Sequence, residues 1–220
     1  MGVDYTQNAE DVETNNILSY SAAHFITIQT ILQPEGKINH SHCCSNRKPK
    51  MSAAKGYRPP AGFLDLSPED RIRMTLTNGG DSHFYSRFLK QCKLESVKTL
   101  GPKSTIVTFS CKADPYYSNF SGNLHGGMQS AIFDMLTSIA MQAIGKKDFW
   151  VNGGVSRVLN VSYLRPAPEG IDMLVECEVV HMGKTLALLQ GRMKRADDGA
   201  IISTCEHNKV AVPAKPGFKL

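Results

Sequence analysis

Most short signatures of well-known enzyme chemistries are missing from this chain. No Ser or Cys sits in a G-x-S-x-G elbow, which excludes an α/β-hydrolase nucleophile. There is no Walker A loop, no G-x-G-x-x-G followed by an acid and no H-E-x-x-H, so P-loop, dinucleotide and zincin chemistries fall away. No apolar run reaches the ~18 residues that span a bilayer. No C-x-x-C occurs among Cys43, Cys44, Cys92, Cys111, Cys177 and Cys205. Scattered cysteines, the last three inside strand-like patterns, read as reduced intracellular thiols. A basic cluster is lacking as well. The net charge of +5 is moderate, and it does not argue for nucleic acid. The N-terminus has no basic-then-apolar signal layout, and Asp4, Glu10, Asp11 and Glu13 speak against a transit peptide. The expectation is an intracellular protein, cytoplasmic or mitochondrial, with no membrane span.

What is present centres on Asn119 to Gly145. Met128, Ala131, Ile132, Met135, Leu136, Ile139, Ala140 and Ala143 recur at i, i+3, i+4, i+7, the pattern of a helix packed on its apolar face. Ser130, Asp134 and Ser138 fall four apart and draw one thin polar line along it. A helix this apolar must be covered nearly all round.

The covering follows from the rest of the chain. Ser67-Pro68-Glu69-Asp70 reads as a capped helix start, ended by Asn78-Gly79-Gly80, with a second helical piece from Ser82 to Cys92. Strands are expected over Leu94 to Leu100 and Ser104 to Lys112, joined by Gly101-Pro102-Lys103. After the long helix, Gly145 looks like a C-cap. Val155 to Leu164 then alternates, with Val155, Leu159, Val161 and Tyr163 on one face and Ser156, Asn160 and Ser162 on the other. Ile171 to Met182, Thr185 to Arg195 and Ala200 to Val212 follow, linked by tight turns at Gly183-Lys184 and Asp197-Asp198-Gly199. Tight turns mean antiparallel neighbours. The fold class is α+β, an antiparallel sheet wrapped around one long central helix.

Residues 1–60 lack sustained periodicity and are expected to form a flexible or disordered extension; 61–213 form the domain and 214–220 a tail. His40, His42, Cys43 and Cys44 lie in the extension. Adjacent thiolates and an H-x-H pair make a poor tetrahedral clip, so no metal is expected.

Two features of the long helix carry chemistry. The first N–H groups at His125-Gly126-Gly127 have no intrahelical partner and hold the positive end of the dipole. They suit a phosphate or a carbonyl oxygen gaining charge, although the glycines equally allow close packing of the helix start. Asp134 stands eight residues beyond Gly126, roughly 12 Å along the axis. One chain cannot bring this carboxylate to its own helix N-terminus, whereas two antiparallel copies of the helix can. Otherwise Asp134 is a carboxylate held by hydrogen bonds at a subunit seam. His125 reads either as a base or as a local hydrogen-bonding residue.

Three motifs in order then resemble the PaaI-type hotdog thioesterases. They are Asn119…Leu124-His125-Gly126-Gly127…Asp134, then Gly154-Val155-Ser156 leading to Asn160-Val161-Ser162-Tyr163-Leu164-Arg165-Pro166-Ala167, then Gly183-Lys184-Thr185-Leu186-Ala187. The likeness covers about residues 82 to 210. It implies a hotdog fold in homodimers or homotetramers with composite active sites, and hydrolysis of acyl-CoA to a free acid and CoA without a cofactor. By the same resemblance, the Gly126 N–H holds the thioester oxygen. Asp134 from a second copy acts as general base or nucleophile, Asn119 and His125 orient substrate and water, and Ser156 helps place the water. Gly127, Gly154, Tyr163, Arg165, Gly183 and Lys184 match the substrate and CoA-binding region. Arg157-Val158 depart from the small apolar residue and acid that relatives often carry. A non-catalytic acyl-CoA-binding protein on the same fold is the alternative. A hotdog hydratase is disfavoured, because Asp134 lies too far into the helix.

Overall fold

The computed structural model describes residues 60–77, 84–146, 150 and 153–211, all within the unit Met51–Leu220. The His40 to Cys44 cluster, the Asn78-Gly79-Gly80 stop and both tails lie outside the described residues. The first helix, α1 (Pro68–Thr77), starts at the expected cap: Ser67 Oγ accepts the Asp70 N–H at 3.1 Å and donates to its carboxylate at 2.7 Å. Ile72 and Leu76 are its buried face. Arg71 donates to three carbonyl oxygens, those of Leu64, Leu66 and Gly145, the last at 2.9 Å. It thereby ties α1 and the turn before it to the far end of the long helix. α2 (Ser86–Leu89) is a single turn, shorter than the periodicity suggested.

Six strands follow: β1 (Lys93–Gly101), β2 (Ser104–Lys112), β3 (Val155–Tyr163), β4 (Asp172–Met182), β5 (Leu186–Arg195) and β6 (Ile201–Val210). All pair antiparallel, in the order β1-β2-β4-β5-β6-β3. The long helix α3 (Gly126–Ala140) enters between β2 and β3 in sequence and packs on one face of the sheet. Period-two alternation supplies the sheet's half of the core: Val107, Phe109, Met173, Val175, Cys177, Val179, Leu189 and Met193 are fully buried. From the helix, Ile132, Phe133 and Leu136 meet them, also fully buried. Gly191 in β5 is what allows the approach, since a Cβ there would stand 2.6 Å from the Phe133 ring and 2.8 Å from Cys205 Sγ. No helix among the described residues is long and apolar enough to cross a membrane.

Two local expectations are corrected. α3 does not end on a left-handed Gly145. It tightens into a 3₁₀ turn, Met141–Ala143, and Gly145 N–H closes on Met141 O at 3.0 Å, while Trp150, Gly153 and Gly154 take the positive φ angles. The second correction concerns β3. A bulge between Ser156 and Val158 in its pairing with β6 inserts one residue and inverts the alternation. Ser156, opposite Lys209, therefore faces the helix together with Leu159 (opposite His207) and Val161 (opposite Cys205). β3 is an edge strand, and Val155, Val158 and Tyr163 are substantially exposed on it.

Candidate active site

Along α3 the candidate residues collect in two places. At the helix start, His125 is the N-cap and its Nδ1 accepts the Gly127 N–H at 2.9 Å. The N–H groups of Met128 and Gln129 go to His125 O. That leaves Gly126 N–H with no partner among the described residues. The Tyr163 ring lies over Gly126, where an added Cβ would stand 3.3 Å from Cζ. Its hydroxyl donates to Gly126 O at 2.9 Å and meets Ser130 Oγ at 2.7 Å. Asn119 shapes the loop before the helix: its Oδ1 accepts the N–H of Ser121 at 2.9 Å and of Asn123 at 3.2 Å.

In mid-helix, Asp134 Oδ1 accepts from Ser156 Oγ at 2.5 Å and lies 3.4 Å from His207 Nε2. Its side chain is 47% exposed, so one flank of the carboxylate is open. Behind it the site is closed. His207 is fully buried, Nε2 at 2.9 Å from Ser156 Oγ and Nδ1 at 2.7 Å from Thr137 Oγ1. Lys209, only 3% exposed, donates to Ser138 Oγ at 2.8 Å and Ser156 Oγ at 3.2 Å. Ser138 in turn donates to Asp134 O at 2.6 Å. Burial and the neighbouring Lys209 charge push the His207 imidazole down to about 4, with Asp134 pulling the other way. Burial also lowers Lys209, again opposed by Asp134. The imidazole is therefore neutral at neutral pH.

The bulge in β3 is what lets one strand serve both places: Ser156 at its start reaches Asp134, and Tyr163 at its end reaches Gly126. Other expected site residues have local structural roles. Gly154, at φ 62°, sits where a Cβ would be 2.5 Å from Trp150 and 2.6 Å from Val210 O. Gly183 O accepts the Trp150 indole N–H at 2.6 Å. Arg165 donates to Ile201 O at 2.8 Å, and Lys184 is exposed in the β4–β5 turn. Among the described residues, no hydrogen bond joins Arg165 or Lys184 to either cluster, and no group of three or more His, Cys, Asp and Glu converges as a metal site.

Thr137, His207 and Lys209 were not among the residues expected from sequence. A signal existed. In β6 the inward positions run Ser203, Cys205, His207, Lys209, so two titratable residues occupy the parity of a buried thiol.

Residues 121–202 match the model of a family described as Thioesterase superfamily. Acyl-coenzyme A thioesterase 13 of Mus musculus is 25% identical over 116 residues, 53% of this chain and 80% of that protein. The Homo sapiens protein of the same name is 29% identical over 103 residues, 47% of this chain and 71% of that one. Among solved structures, zebra fish thioesterase superfamily member 2 gives a TM-score of 0.57 at 25% identity, over 67% of this chain and 99% of the other. The E. coli PaaI protein gives 0.52 at 12% identity, over 66% and 94%, a likeness of fold alone.

Proposed function

We propose that this chain, a thioester hydrolase carrying a hotdog domain of the thioesterase superfamily, cleaves acyl-CoA at a site shared by two copies of itself. One copy contributes the Gly126 N–H, which receives the developing oxyanion. The other contributes Asp134 as general base or nucleophile toward the thioester carbonyl. Ser156 holds the water, Asn119 and His125 orient it and the acyl group, and no cofactor takes part. Gly127, Gly154, Tyr163, Arg165, Gly183 and Lys184 form the CoA side, where the two cations answer the phosphates.

The observation that carries the reading is the pairing of a Gly126 N–H unpartnered among the described residues with a half-open Asp134 carboxylate about two helical turns along the same helix, roughly 12 Å away and too far to meet it. The exposed edge strand β3, with Val155 and Val158 facing solvent, supports a second copy as the missing neighbour. The names of the relatives support CoA as the thiol half. The direct experiment follows free thiol release from acyl-CoAs of short, long and aromatic acyl groups. Release on at least one is expected. Tight binding of all with release from none identifies a non-catalytic acyl-CoA-binding protein and overturns the hydrolase.

A further inference from the structure

The closed side of the Asp134 cluster holds more wiring than a carboxylate and a water need. Ser156, His207 and Asp134 are the residue types of a hydrolytic triad, yet they are connected in another order. In a triad the carboxylate holds Nδ1 of the His. Here Nδ1 faces Thr137, and Asp134 bonds to the serine.

Donor counting settles the directions. Thr137 Oγ1 lies 2.6 Å from Phe133 O, an acceptor only, so the single Thr137 proton is committed there. His207 Nδ1, 2.7 Å from the same Oγ1, must then be the donor. The ring is neutral, so its Nε2 carries a lone pair. At the other end Lys209 has only N–H to give, and Ser156 Oγ accepts from it. One Ser156 proton remains for two acceptors, Asp134 Oδ1 at 2.5 Å and His207 Nε2 at 2.9 Å. While the carboxylate is ionised it takes that proton, and a buried Nε2 is left short.

We propose that Thr137, His207 and Ser156 form a hydrogen-bond chain that commits Asp134 to base catalysis, because the chain becomes complete only when Asp134 has taken up a proton. This deepens the acyl-CoA hydrolase reading and rests on it. As the water O–H breaks, its proton forms an O–H on Asp134, the hydroxide adds to the thioester carbonyl carbon and the C=O π pair moves onto the oxygen held at the Gly126 N–H. The new Asp134 O–H donates to Ser156, whose own hydroxyl swings to donate to Nε2. No proton moves onto the ring, which stays neutral. Every donor and acceptor in the chain is then matched. Collapse of the adduct then breaks the C–S bond, and Asp134 returns the proton to the departing thiolate sulfur. Lys209 is the positioning cation: it pins both Ser138 and Ser156, and so fixes the backbone and the carboxylate of Asp134 together. The charged groups facing the imidazole are Asp134 from α3 and Lys209 from β6. Its cross-strand neighbours on β3 and β5, Leu159 and Leu189, are apolar.

The test begins with full-length protein labelled with ¹⁵N in its histidine rings. His207 is expected to show a proton on Nδ1 and none on Nε2, and Thr137→Val should shift it toward the opposite tautomer. A wild-type ring with its proton on Nε2, or doubly protonated at neutral pH, overturns the chain. Kinetically, His207→Leu should lower kcat by roughly 10-fold with KM little changed, while His207→Gln, which restores an acceptor at the ε position, should recover most of it. Equal kcat for Leu, Gln and wild type also overturns it. Single turnover in ¹⁸O water should place the label in the released acid. Label in Asp134, or an acyl ester on Ser156, instead gives covalent catalysis and sinks the proposal. Asp134→Ala separates the layers. If it hydrolyses normally, the reading of the site has failed. If it is inactive while His207→Leu is normal, only the chain has.

Discussion

The start of α3 and its middle are built from different materials. At Gly126 the polar groups are backbone, and the flanking side chains are exposed: Tyr163 is 52% accessible and His125 spends its Nδ1 on capping. At Asp134 they are side chains from α3, β3 and β6, and two of them, His207 and Lys209, are buried. Backbone geometry comes with the helix and needs little support. A carboxylate that must keep one rotamer while half exposed needs a rigid backing, which two serines, a histidine and a lysine provide. The first place resembles a socket, the second a mounted tool.

The comparison is broken most easily at the tool. Asp134→Ala should lower kcat on acyl-CoA by ~10²–10⁴-fold while CoA binding, read by calorimetry, stays near normal. Unchanged turnover removes Asp134 from the chemistry. Because the two places are assigned to different copies, inactive Asp134→Ala and Gly126→Val proteins should complement when refolded together. Statistical pairing leaves one intact site in half of the dimers, so about a quarter of wild-type activity should return. No recovery argues that each chain works alone.

A smaller effect separates the two places by pH. His207 has its folded-state value pushed down to about 4, so between that value and the usual 6.5 the unfolded chain binds the proton that the native state refuses. Stability from this group is present above about 6.5 and is lost as pH falls toward 4, a change of order 3 kcal/mol. Urea midpoints across that window should fall for wild type and fall less for His207→Leu; parallel slopes refute the assignment. The mildest change is at the socket. Tyr163→Phe removes the hydroxyl bonds to Gly126 O and Ser130 and should cost about 1 kcal/mol, a several-fold loss in kcat/KM. A hundredfold loss there would make Tyr163 part of the chemistry and erase the contrast.

Much of the architecture was legible because period two and period 3.6 are strong signals. Ser104 to Lys112 is β2 to the residue, and of the apolar row on α3 Met128, Ile132, Leu136, Ile139 and Ala140 are buried while Ala131 and Met135 are half-buried against the core. The faces of β3 were misread because a bulge is a pairing event between Ser156 and β6, invisible in the strand's own sequence. Strand order was beyond reach for the same reason: β3 closes on β6, which lies forty residues downstream. On the site, His125, Gly126 and Asp134 stand out by their place on one helix. His207 and Lys209 join Asp134 only through the fold, and they also lie past the stretch 121–202 that matches the family model.

The four buried thiols among the described residues have a use of their own. Cys92 precedes β1, Cys111 lies on β2, Cys177 on β4 and Cys205 on β6, so they mark successive stations across the sheet. Burial drives Cys177 upward and Cys205 to about 12, while Cys92 is raised by its bond to Cys111 and then by burial, which leaves almost no thiolate in the closed state. All four sulfurs are buried, so each is a tripwire that an alkylating reagent can reach only when its own stretch of sheet lifts. Timed alkylation, read peptide by peptide, would record the order in which the β1 side and the β6 side come undone.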